Sequence, residues 1–182
     1  MINFKGKVVV ITGGASGIGR GLAFGFAKRG MKIVLADIDK ENLDKVAKEL
    51  EKFGADRIIV AENSALSEYL PDAYDNVITD DINKENPDVV ILGASTQGKD
   101  IAARLSARLN APLAMDCVTI HFEDNNLMAT RYMYGGKILA DVVLTGKPQI
   151  LAIRPNAMTI ASATGAGSIE KFEVNTGATQ VK

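Results

Sequence analysis

The run Thr12-Gly13-Gly14-Ala15-Ser16-Gly17-Ile18-Gly19 constrains this chain more than any other stretch. It follows Lys7-Val8-Val9-Val10-Ile11, an apolar run that reads as a buried parallel strand. Arg20 to Lys28 then reads as a helix, with Leu22, Ala23 and Phe26 on one face. A strand, a glycine turn and a helix in that order aim backbone N–H groups and the helix dipole at a phosphate. Gly13 would permit the sharp turn, Gly17 the close approach, and Gly19 tight packing of helix on strand. Thr12, Ser16 and Ile18 belong to the same candidate site. A second strand, Lys32–Ala36, ends at Asp37, 18 positions after Gly19. An acidic residue roughly 20 positions on bonds a ribose 2′-hydroxyl in dinucleotide sites. Asp37, with Ile38 beside it, therefore completes a candidate site for NAD or another adenine nucleotide. The alternative is a tight strand–helix turn that binds nothing.

The rest of the chain repeats the pattern. A helix is expected from Lys40 to Phe53, capped by Asp39, with Leu43, Val46, Ala47 and Leu50 inward and Gly54 ending it. Strand three is Arg57–Ala61, and Pro71 opens a helix to about Lys84. In that helix Asp80-Asp81 reads as solvated surface. Strand four is Asp88–Leu92, followed by a helix from Asp100 to Leu109. Alternation of strand and helix argues for a parallel sheet covered on both faces, in the order 3-2-1-4-5. The texture then changes. Val118, Ile120 and Phe122 alternate with polar residues, Asp124-Asn125-Asn126 turns into Leu127–Tyr134, and Gly135-Gly136 bends the chain. Lys137–Leu144 continues extended, and Gln149–Arg154 reads as a final buried strand. The fold class is thus α/β, a Rossmann-like doubly wound sheet with an added antiparallel section. Residues 1–162 form one domain, and residues 163–182 read as a linker or tail with a short strand at Ile169–Val174.

A net charge of −1 gives no electrostatic case for nucleic acid or an anionic membrane. No apolar run approaches a membrane-spanning length, and the N-terminus lacks a signal-peptide pattern. Cys117 is the single cysteine, which fits a reducing cytoplasm and a buried inert thiol. His121, the single histidine, lies on the polar side of its strand, and no second His or Cys supports a metal site. Ser95-Thr96-Gln97-Gly98-Lys99 follows strand four and opens a helix, so Ser95 is either part of an anion site or an ordinary N-cap. That loop and Thr12–Gly19 would flank one crevice, with Arg131 and Arg154 as charge partners or as solvated strand ends.

The spacing Gly-x-x-x-Gly-x-Gly preceded by Thr12 resembles the short-chain dehydrogenase/reductase family over residues 1 to about 55. That resemblance implies NAD rather than NADP, because Asp37 would repel a 2′-phosphate. It also implies a catalytic Tyr with Lys four positions later. The positions four after Tyr69, Tyr74, Tyr132 and Tyr134 hold Ala73, Ile78, Gly136 and Ile138, so the pair is missing and hydride transfer by that mechanism is not expected, which leaves an NAD-dependent oxidoreductase as the last of the alternatives. From about residue 56 to 182 the chain resembles domain I of the electron transfer flavoprotein alpha subunit. The motifs are Ala55–Ala61, Pro87–Ser95, Gly98-Lys99-Asp100, Arg104–Leu109, Asp116-Cys117, Tyr134-Gly135-Gly136-Lys137 and Ile153–Ala157. This second resemblance implies a beta-subunit partner and electron transfer. That family carries its flavin mainly on another domain, so FAD is not expected on this segment. Two resemblances meeting at Gly54-Ala55 imply a fusion, natural or engineered: a scaffold without turnover and with at most weak nucleotide binding.

Overall fold

The computed structural model describes residues 8–12, 14–27, 32–36, 40–51, 57–61, 63–66, 68–123, 126–158, 168–172, 174, 176 and 177. Among them the chain runs β1 (Val8–Thr12), α1 (Gly17–Ala27), β2 (Lys32–Ala36), α2 (Lys40–Glu51), β3 (Arg57–Ala61), α3 (Pro71–Glu85), β4 (Val89–Gly93) and α4 (Thr96–Leu109). Five strands follow: β5 (Leu113–Glu123), β6 (Asn126–Met133), β7 (Ile138–Val143), β8 (Gln149–Ile153) and β9 (Ser168–Phe172).

The parallel core has the physical signature expected of it. Successive residues of β4 point into opposite layers: Val89 and Ile91 join one apolar cluster, Val90 and Leu92 the other. The first layer is closed by Leu22 and Phe26 of α1 and by Leu43, Val46, Ala47 and Leu50 of α2, the residues the helical spacing marks as inward. The second is closed by Tyr74, Val77 and Ile78 of α3 and by Ile101 and Leu105 of α4. Each fully buried large aliphatic side chain contributes about 1.5–3 kcal/mol. A strand buried on both faces therefore fixes its place in the sheet strongly.

Hydrogen-bonded ladders run in the orders β1-β2-β3-β9 and β4-β8-β5-β6-β7. Strand β1 lies against β4, so the two ladders meet there. The fold is the α/β doubly wound arrangement expected, with the antiparallel section at one end. The order has one refinement: β8 stands between β4 and β5, parallel to both, so 3-2-1-4-5 becomes 3-2-1-4-8-5. The reason lies in the residues of β8. Leu151 and Ile153 enter one core layer while Ile150 and Ala152 enter the other, and only an interior position buries both sets.

Two boundaries also shift. Helix α4 starts at Thr96 rather than Asp100, because Ser95 caps it. Within the segment expected to be a tail, Ser168–Phe172 forms β9 in parallel register with β3, Arg57 opposite Ser168 and Ala61 opposite Phe172. Arg57 fastens this strand: its guanidinium donates to Glu85 at 2.5 Å and to Glu170 at 2.7 Å.

Candidate functional site

The turn after β4 is closely constrained by its own hydrogen bonds and packing. Ser95 accepts a hydrogen bond from the Gly98 N–H through Oγ at 3.1 Å, and the Lys99 N–H donates to the Ser95 carbonyl at 2.9 Å. This fills the side-chain oxygen as an N-cap. Gly98 is packed so closely that a Cβ on it would lie 1.9 Å from the Gly93 carbonyl oxygen. The Ala94 N–H donates to the Ile153 carbonyl at 2.7 Å, tying the turn to the end of β8.

Beside this turn stands an ionic cluster. Asp116 sits where the β5–β8 register shifts, in the left-handed region at φ 63°. Arg154, one residue past β8, donates through Nη2 to Asp116 at 2.5 Å, and Lys99 Nζ lies 3.3 Å from the same carboxylate. The Arg154 guanidinium also covers the Tyr132 ring, 4.7 Å from its centroid. Hydrogen bonding from Arg154, reinforced by Lys99, holds the Asp116 carboxyl below the usual carboxylate range. The candidate cation Arg154 is thus a structural ion-pair partner. Arg131, the other candidate, is half-buried and its Nε makes no hydrogen bond.

The glycine turn after β1 is described in part. Thr12 pairs with Ala36 in the ladder. Gly14 is buried, and a Cβ there would meet Leu35 Cδ2 at 2.6 Å, so this glycine allows packing on β2. Ser16 is exposed and its carbonyl accepts the Arg20 N–H at 3.1 Å. Gly17 opens α1 at φ 48° with no described atom within 4 Å of its Cβ direction, and Ile18 and the buried Gly19 continue the helix. Gly13, Asp37, Ile38 and the expected cap Asp39 lie outside the described residues. Because β1 abuts β4, the glycine turn and the Ser95 turn leave neighbouring strands.

Two described nucleophilic or acidic side chains near the Ser95 turn are held in their protonated forms. Cys117 is buried, donates to the Ala114 carbonyl at 3.4 Å, and burial pushes its thiol up to about 11, so it stays protonated at neutral pH. The Tyr69 hydroxyl donates to Asp100 at 2.6 Å; burial and that carboxylate push the phenol upward, away from proton transfer near neutrality. Among the described residues no cluster of His, Cys, Asp and Glu could hold a metal ion. No described helix is long and apolar enough to cross a membrane.

The Asp80-Asp81 pair is not solvated surface throughout. Asp80 is exposed, but Asp81 is 4% exposed and neither of its carboxylate oxygens has a hydrogen-bond partner. It follows Tyr74, Val77 and Ile78 at spacings of seven, four and three, which places it on the inward stripe of α3. That spacing was available in the sequence; the chemistry of an Asp-Asp pair masked it. Asp116 was visible as a motif residue, but its pairing across the sheet with Lys99 and Arg154 was not.

The electron transfer flavoprotein domain family matches residues 21–176. The electron transfer flavoprotein subunit alpha of Bacillus subtilis (strain 168) is 36% identical over 137 residues, 74% of this chain and 42% of that protein. Protein FixB of Clostridium saccharobutylicum is 38% identical over 131 residues, 70% of this chain and 39% of that protein. The chain thus spans about two fifths of the length of these curated relatives. Among solved structures, L-sorbose reductase from Gluconobacter frateurii, complexed with NADPH and L-sorbose, covers 58% of this chain and 46% of its own. Its identity is 27% and its TM-score 0.47, too loose a superposition to bear on function. The family match runs across Gly54-Ala55, so the comparisons give no support to a junction there or to an engineered scaffold.

Proposed function

We propose that this chain, which belongs to the electron transfer flavoprotein domain family, is a non-catalytic alpha-type domain that contributes to electron transfer in complex with a beta-type subunit. The observation that carries this reading is the family match over residues 21–176, with relatives named as alpha subunits and FixB proteins. The geometry adds support. The motifs Gly93-Ala94-Ser95, Gly98-Lys99-Asp100, Asp116-Cys117 and Ile153-Arg154 are far apart in sequence. They meet in one bonded cluster at the ends of β4 and β8 and the bend in β5.

The described residues near this cluster do not fit a flavin. The cations Lys99 and Arg154 are both engaged by Asp116, and Ser95 Oγ is taken by the Gly98 N–H. No electron step is therefore routed through them, and flavin belongs to the assembled complex. A beta-type subunit with FAD, mixed with this chain, tests the reading. Co-elution, with flavin absorbance in the complex and none in the chain alone, is expected. Flavin bound tightly by the chain alone, or no association, would refute it.

A second reading, weak binding of NAD or another adenine nucleotide, rests on Gly17, whose left-handed backbone faces open space at the start of α1. Calorimetric titration with NAD at millimolar concentration tests it. Heat that disappears in Gly17→Val is expected; no heat at all leaves the turn purely structural. The single cysteine of the chain supports a reducing, cytoplasmic setting for either reading.

A further inference from the structure

The large apolar side chains that are exposed among the described residues are confined to one stretch. They are Met133 at the end of β6, Tyr134 in the following turn, and Ile138, Leu139 and Val143 of β7. Leu139 is 57% exposed and Tyr134 74%. Strand β7 also ends its ladder, paired with β6 on one side and with no described strand on the other. Its outer edge therefore offers a row of backbone N–H and C=O groups that pair with no described strand, beside an apolar surface. Edges in stable monomers are usually blunted by charge, proline or a bulge. Here the register with β6 is unbroken over all six residues, and Asp141 is the single charged residue of the strand.

We propose that β7 pairs antiparallel with β7 of a second copy of this chain, about a two-fold axis perpendicular to the sheet, so that the sheet continues from one protomer into the next. A two-fold pairing of one edge with itself needs no surface other than the one present. The charge pattern selects the register. Between residues 137 and 143 the charged groups are Lys137, in the turn just ahead of the strand, and Asp141, of opposite sign. With Leu139 on the axis, the two Leu139 side chains face each other, and each Asp141 lies across from the turn that holds the other copy's Lys137, whose long side chain leaves an αR backbone (φ −80°, ψ −23°) just outside the ladder. With Asp141 on the axis, two carboxylates would oppose each other. With Ala140 on the axis, Leu139 would face a carboxylate. Opposite charges across an antiparallel pair stabilise it and like charges destabilise it, which favours the first register. The Thr130 hydroxyl donates to Asp141 at 2.6 Å, so the carboxylate is already held on that face. Leu139 and Val143 share this face with Tyr132 and Met128, their neighbours on β6, and the pairing would carry the apolar surface across the axis.

Sedimentation equilibrium of the full chain, from the order of 1 to 100 μM, tests this. A monomer–dimer equilibrium is expected, with β7 amides exchanging more slowly as concentration rises. Leu139→Glu should abolish the dimer while leaving the circular dichroism spectrum unchanged, since the side chain lies outside the core. Asp141→Lys alone should weaken association by about three- to tenfold, and the swap Lys137→Asp with Asp141→Lys should restore it. A chain that is monomeric throughout overturns the proposal. So does a dimer indifferent to Leu139→Glu, a swap no better than the single change, or a monomer whose β7 edge is protected only when a beta-type subunit is added.

Discussion

Gly98 lies against the carbonyl of Gly93 across the turn that joins β4 to α4. A single methyl group on Gly98 would come within 1.9 Å of that oxygen. The oxygen belongs to backbone at the end of a buried strand, so it cannot swing aside as a flexible side chain would. Gly98→Ala should therefore destabilise the domain by about 3 kcal/mol, at the upper end for overpacking. Ser95→Ala, which removes only the cap, should cost about 1 kcal/mol. Urea unfolding of the two variants measures the ratio. A Gly98→Ala variant as stable as the parent would show that the turn relaxes.

Asp116 holds Lys99 and Arg154 while sitting in a left-handed conformation. Asn tolerates that conformation, so Asp116→Asn isolates the charge. Its carboxyl is lowered in the fold, chiefly by Arg154. The ion pairs thus stabilise the fold above the unfolded carboxylate value of about 3.9 and are lost as pH falls through the lower folded value. Asp116→Asn should cost about 1 kcal/mol at pH 7, and the difference should vanish in strong acid. Thermal unfolding across that range provides the check.

Asp81 should behave in the opposite sense. Burial first, and the neighbouring Glu85 next, push its carboxyl up to about 6, against smaller opposing effects of Lys84 and Arg57. A raised acid favours its neutral form in the fold. Stability should therefore fall as pH rises from about 4 through 6, then level off. Asp81→Leu should stabilise the domain by on the order of 2 kcal/mol at pH 8, because it removes an uncompensated buried charge. The gain should shrink as pH drops below 6. Guanidinium unfolding at both pH values decides it; a loss of stability at pH 8 would mean that the carboxylate is satisfied in solution.

Arg57 links the start of β3 to Glu85 on α3 and to Glu170 on β9. Arg57→Met keeps the aliphatic stem and removes both ion pairs. Amide exchange in Ser168–Phe172 should accelerate several-fold, while β4 and β8 amides stay protected. Uniform acceleration across the sheet would instead mean that β9 opens only with the whole domain.

The amino-acid order alone determined the alternation of strands and helices, the inward faces of α1 and α2, the change to antiparallel pairing after β5, and the glycine bend at 135–136. Each follows from spacing along the chain, since periods of two and near four decide which side chains can be buried together. Tertiary structure alone decided that β8 lies between β4 and β5, that β9 adds to β3, and that Asp116 joins Lys99 to Arg154. Those outcomes turn on contacts between residues far apart in sequence. A strand's apolar pattern states that it needs two covered faces; only the assembled sheet states which neighbours supply them.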